Sequence, residues 1–211
     1  TVTSHAVAHH ALIEASRGAE AACRDLLRRG EELIADTGTV SSAVHLREAT
    51  GLLALGLGDA RGAVSTLRAL DTLMAQLGVN EPNVTWHRAN LSEALAAVGR
   101  GDDARVVADA LYANGERVGR SWPRAAACRC RALLADDPHD AMTHLTEALG
   151  WHERCRTPFE EARTRLVLGQ TLGRLDQADD AGRELTVAER TFERLGAVVW
   201  ADRARAANTS G

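Results

Sequence analysis

A chain of 211 residues, 45% apolar and 26% charged, carries enough hydrophobic content for one substantial core or a row of smaller packed units, which excludes a disordered chain. Aromatic residues make up only 3%, so a core must be built from Leu, Ala and Val, a composition that favours helices over sheets. A formal charge of -4 and a pI near 6.1 argue against a nucleic-acid surface as the main business of this segment, and no direct nucleic-acid contact is expected.

Apolar periodicity and turn signals predict helix pairs at 4–16/19–36, 40–57/60–77, 83–98/102–118, 123–136/139–155 and 158–174/178–195, with a last helix over 198–207. No stretch shows the period-2 alternation of a strand. The first pair, within residues 1–38, fits the later pattern poorly and reads as a degenerate unit. Its His5 and His9 lie at i, i+4, the spacing of a two-ligand metal site, with no third ligand in reach; a solvated helix face is the alternative. Pro82 and Pro123 open the third and fourth pairs, while Gly78, Gly119 and Gly196 follow the ends of second helices. Cys128 and Cys130, two apart on a helix, point to nearly opposite sides, and His152 with Cys155 supplies only two ligands, so the thiols read as buried small hydrophobes. Thr157-Pro158-Phe159-Glu160 has the pattern of a capping box. The acidic pairs Asp102-Asp103, Asp136-Asp137 and Asp179-Asp180 fall in turns, where Asp caps the next helix.

Sliding the chain against itself near 40 residues aligns four segments: ATGLLALGLGDARGAV, NLSEALAAVGRGDDARVV, CRALLADDPHDAMTHL and LVLGQTLGRLDQADDAGREL. Each has a small residue in its first helix, Gly51, Ser92, Ala132 and Gly169, and an alanine in its second, Ala63, Ala104, Ala141 and Ala181. The separation is 12 in three units and 9 in the third, which points to a shortened inter-helix turn there. Small side chains on facing stripes let two helices approach closely, and Gly169 with Ala181 is the expected pair. Gly173, one turn on, either extends that stripe or weakens the helix end.

This register resembles the tetratricopeptide repeat, with Leu168-Gly169, Leu172, Ala181, Leu185 and Ala188 standing where that family has its signature positions. Arg47 and Arg165 replace its large aromatic, and its closing proline is missing. PFEEARTRLVLGQTL and ERTFERLGAVVWADRARAA, within about residues 120–207, look like the final repeats of the large ATP-binding LuxR-family transcriptional regulators, especially actinobacterial ones. The resemblance implies an all-α, right-handed superhelical stack of antiparallel helix pairs, an α-solenoid of about 11 helices. A degenerate pair over 1–38 is followed by four repeat units over 39–196, then a capping helix and tail over 197–211. It further implies a sensor segment cut from a longer regulator. Neither a phosphate-cradling G-x-x-x-x-G-K-[ST] loop nor a recognition helix after Ala207 is found in the chain, so no cofactor is expected. Trp200 either caps the stack or marks the seat of a DNA-binding domain.

In such a stack the inner face is lined by first-helix positions at fixed offsets from the small residue. These are His45, Glu48, Trp86, Glu93, Arg129, Arg163 and Gln170, suited to a small polar effector or a peptide; ordinary solvated residues are the alternative. No G-x-S-x-G elbow or dry carboxylate pair occurs, so an enzyme is not expected. A free-standing protein-binding scaffold is the second reading, and end surfaces exposed by excision would favour a homodimer. Reduced thiols and an apolar run no longer than residues 51–58 lead to a cytoplasmic, non-membrane expectation.

Overall fold

In the computed structural model, which describes residues 2–209 apart from residue 83, the helical periodicity becomes eleven helices and, among the described residues, no strand. They are α1 (Val2–Arg17), α2 (Glu20–Thr37), α3 (Val40–Gly56), α4 (Ala60–Gln76), α5 (His87–Ala97) and α6 (Gly101–Val118). α7 (Ser121–Leu133), α8 (Pro138–His152), α9 (Pro158–Arg174), α10 (Ala178–Leu195) and α11 (Val198–Thr209) follow. Each helix packs on the next in chain order, and the odd-numbered ones also touch in sequence, α1 on α3, α3 on α5, α5 on α7, α7 on α9 and α9 on α11. None of the described helices is long and apolar enough to cross a membrane.

The small-residue register marks real close approaches. A Cβ on Gly51 would overlap the Leu67 side chain, and one on Gly169 would overlap that of Leu185 and press on the Ala181 carbonyl. Ser92 uses the same position differently, its hydroxyl donating to the Ala104 carbonyl at 2.9 Å. Ala63, Ala104, Ala132, Ala141 and Ala181 are all buried. Gly173 faces open space and belongs to no stripe. In every unit the second helix begins three residues before its alanine. The short third unit loses its turn from the end of α7, which stops at Leu133, one residue past Ala132, whereas α3, α5 and α9 run five past their small residue. The α7–α8 connection is therefore not the shortened part.

Local capping departs from expectation in three places. Asp59 and Asp137 do cap, accepting from the backbone N–H of Gly62 and His139. Asp102, Asp103, Asp179 and Asp180 instead lie inside the first turns of α6 and α10, where a carboxylate meets the positive end of the helix dipole. Thr157 is the N-cap residue of α9 but makes no side-chain cap bond, its hydroxyl lying 3.5 Å from Cys155 Sγ and 3.4 Å from His152 Nδ1, and the Glu160 carboxylate that would complete the capping box is held by Arg129 and Arg163. α5 begins at His87, not near 83, which lies outside the described residues; Trp86 becomes its N-cap residue and donates its N–H to the Glu48 carboxylate.

The largest hydrophobic cluster runs from Ala8, Ala11 and Ala15 of α1 through Leu52, Leu53 and Leu95 to Phe192, Trp200 and Ala204. Residues from both ends of the chain thus share one core. Val199 sits against Gly18 in the left-handed α1–α2 turn, and Arg203 donates to the Leu55 and Gly56 carbonyls at the end of α3, both at 2.8 Å.

Candidate functional site

The first-helix stripe converges on a buried ring of four charges. Arg129 of α7 donates to Glu93 of α5 at 2.7 Å and to Glu160 of α9 at 2.6 Å. Arg163 of α9 donates to the other oxygens of the same two carboxylates, at 2.7 and 3.0 Å. Spare donors go to Asn90 Oδ1 (2.8 Å) from Arg163 and to the Glu160 carbonyl (3.0 Å) from Arg129. Both guanidinium groups are almost fully enclosed. Burial by itself would raise the Glu160 carboxyl, but Arg163 and Arg129 override it and hold the group at about 2; the same opposition keeps Glu93 low. Two cations against two carboxylates make the ring neutral, each carboxylate bridging both guanidinium groups through separate oxygens, and among the described residues only the buried Arg163 Nε of the ring is left without a hydrogen-bond partner.

On one side of the ring a cavity of about 400 Å³ opens between α1, α3, the chain before α5, and α9. Its mouth carries exposed His9, Ile13 and Val84, and its floor the buried Glu48, Asn90 and Glu160. Leu12, Leu52, Trp86 and Phe159 complete an apolar wall. Trp86 stacks on Trp122 with ring centres 4.6 Å apart, and the His9 and His45 rings lie 4.6 Å from each other. Burial lowers the His45 imidazole below its ordinary value, keeping it neutral. Burial pushes the Glu48 carboxyl up to about 8, against the Trp86 N–H that favours its charge, and Glu160 adds to the rise.

Of the residues expected on an inner face, His45, Glu48 and Trp86 therefore share one cavity, while Glu93, Arg129 and Arg163 form the charge ring. Gln170, exposed, lines a second cavity of about 380 Å³ beyond the ring, with Glu93, Arg163, Trp200 and Arg203. Sequence reasoning missed Glu160, Asn90, Phe159 and His9. Glu160 had a signal, since it lies three residues before Arg163 and continues the stripe by one more turn. His9 comes from the degenerate first pair, where no register predicts which residues face inward.

His5 and His9 turn to local partners, with His9 Nδ1 2.8 Å from the His5 carbonyl and His5 Nε2 2.8 Å from Ser41 Oγ. Among the described residues no group of three or more His, Cys, Asp or Glu could hold a metal ion. Burial raises the thiols of Cys23, Cys128 and Cys130 to about 11, 12 and 12, so they stay protonated and poorly nucleophilic. No protein-family model matches the chain, and no curated protein does.

Proposed function

We propose that this chain is a tetratricopeptide-like, right-handed superhelical stack from the sensing part of a LuxR-type ATP-binding transcriptional regulator, acting in the cytoplasm. In this reading it binds a small effector and performs no catalysis itself. The observation that carries it is the cavity where His45, Glu48 and Trp86 meet, because its walls come from the first, second, third and fifth helix pairs at once. An occupant that touches α1, α3 and α9 favours one relative packing of those helices, and the packing change is available to domains outside this chain. The repeated small-residue register and the pairwise contacts of the odd-numbered helices support the stack.

Thermal unfolding against nucleotides, sugars, acyl compounds, amines and peptides tests the proposal, since a ligand of the folded state raises the melting point by mass action. A shift with one compound class is expected, and it disappears in Leu12→Trp, which fills the cavity. If no class shifts the wild-type chain, the effector reading is lost. A second reading, a protein-binding scaffold, then gains from the outer face. There Tyr112 and Trp151 both donate to Glu147, with Arg131 over the Tyr112 ring at 4.4 Å and Arg124 over the Trp151 ring at 3.9 Å, the composition of interface hot spots.

A further inference from the structure

The cavity floor holds an acid without a counter-charge. Glu48 is 4% exposed, accepts one hydrogen bond, from the Trp86 N–H, and takes part in no ion pair among the described residues. The charges beneath it are committed to one another in the ring, leaving none for Glu48. The cavity is lined by two carboxylates, Glu48 and Glu160, and by no arginine. An anionic ligand would meet both carboxylates in a site of low dielectric, and a polyhydroxylated one would find mostly apolar wall.

We infer that this cavity is a binding site for a primary ammonium group on an apolar body of about ten heavy atoms, its charge paired with Glu48 and lying beside Trp86 and Phe159. The inference rests on the effector reading above and adds the chemical class. Trp86 gives one face to Trp122, which orients the ring as a fixed wall and leaves its other face for a ligand. Leu12, Ile13, Leu52 and Val84 cover the apolar body. In the empty cavity the raised Glu48 carboxyl keeps a proton, which an arriving ammonium group displaces. The ionisable groups facing it are His9 from α1, His45 from α3 itself, and Glu160 from α9 backed by Arg163; α5 contributes only the neutral Asn90.

The test is calorimetric titration of the intact chain with phenethylamine, beside 2-phenylethanol and 3-phenylpropanoate as neutral and anionic counterparts. Phenethylamine alone is expected to bind well, at least tenfold more tightly at about pH 8 than at about pH 6, with proton release. Glu48→Gln, which keeps the side-chain shape and the Trp86 bond, should weaken it at least tenfold and remove the pH dependence, while Gln170→Ala at the second cavity changes neither. Equal binding of amine and alcohol, indifferent to Glu48→Gln, overturns the ammonium class but leaves an apolar effector site standing. Preference for the acid also overturns it and makes Glu48 a protonated donor. No binding by any of the three overturns the inference, and the wider compound panel with Leu12→Trp then decides the effector reading separately.

Discussion

Burying a carboxyl group with one hydrogen bond and no cation stabilises its protonated form, and the pH dependence of folding follows from that sign. Glu48 has its pKa raised from 4.5 to about 8, so its contribution is fully present below about 4.5 and is lost as pH rises through 8. His45 and His152 act oppositely. Burial lowers both, His152 to about 4, so stability is lost as pH falls below about 6.5 and the unfolded imidazoles take up protons. The wild-type melting temperature is therefore expected to peak on the slightly acidic side and decline by pH 8.5. Glu48→Gln should flatten the alkaline limb and steepen the acidic one, where the Glu48 slope opposes that of the imidazoles, the gain at pH 8.5 being a few kcal/mol in order of magnitude. An unchanged alkaline limb would show that Glu48 ionises freely in the folded chain.

Within the helix pairs, two glycines four residues apart on α9 do different things. A helical Gly→Ala change gains roughly 1 kcal/mol of helix propensity when nothing opposes it. At Gly173 nothing lies within reach of a new Cβ, so Gly173→Ala is expected to stabilise by about 0.5–1 kcal/mol. At Gly169 the Leu185 side chain and the Ala181 carbonyl already fill the space, and overpacking outweighs propensity, for a net loss of about 1–2 kcal/mol. Denaturant unfolding of the two variants side by side measures the contrast, and similar shifts of the same sign would refute the close α9–α10 approach. Asp176 belongs to the same scale: at φ 58 it holds the left-handed turn that Gly58 and Gly99 hold in the second and third pairs.

Across the whole molecule, α11 does more than cover one end. Trp200 is buried beside Phe159 and Phe192, with the Arg163 and Arg203 guanidinium groups 4.7 and 4.8 Å from its ring. Arg203 reaches carbonyls of α3 almost 150 residues earlier, at separations of 148 and 147. In an open repeat array each unit contacts only its neighbours, and damage at one end frays that end. Here Trp200→Ala is expected to cost about 3–5 kcal/mol and to speed hydrogen exchange in α1 and α3 as well as in α10. Exchange changes confined to α10 and α11 would mean that contact between the two ends contributes little to stability.

Helix positions, the register of small residues and the alanines opposite them were legible in the sequence, because each rests on local quantities: apolar periodicity, turn glycines, and side-chain size at a repeated offset. His45, Glu48 and Trp86 could be placed on one stripe for the same reason. What the stripe does was decided in three dimensions. Glu160 carries a local capping pattern, yet its carboxylate is taken by Arg129 and by Arg163, and Arg163 in turn holds Glu93 from 70 residues away. A buried guanidinium must find carboxylates wherever the packed helices present them, and the cost of leaving it unpaired exceeds the modest gain from a helix cap. The cavity has the same origin, since its walls come from helices far apart in the chain, and only their packing leaves Glu48 enclosed without a cation.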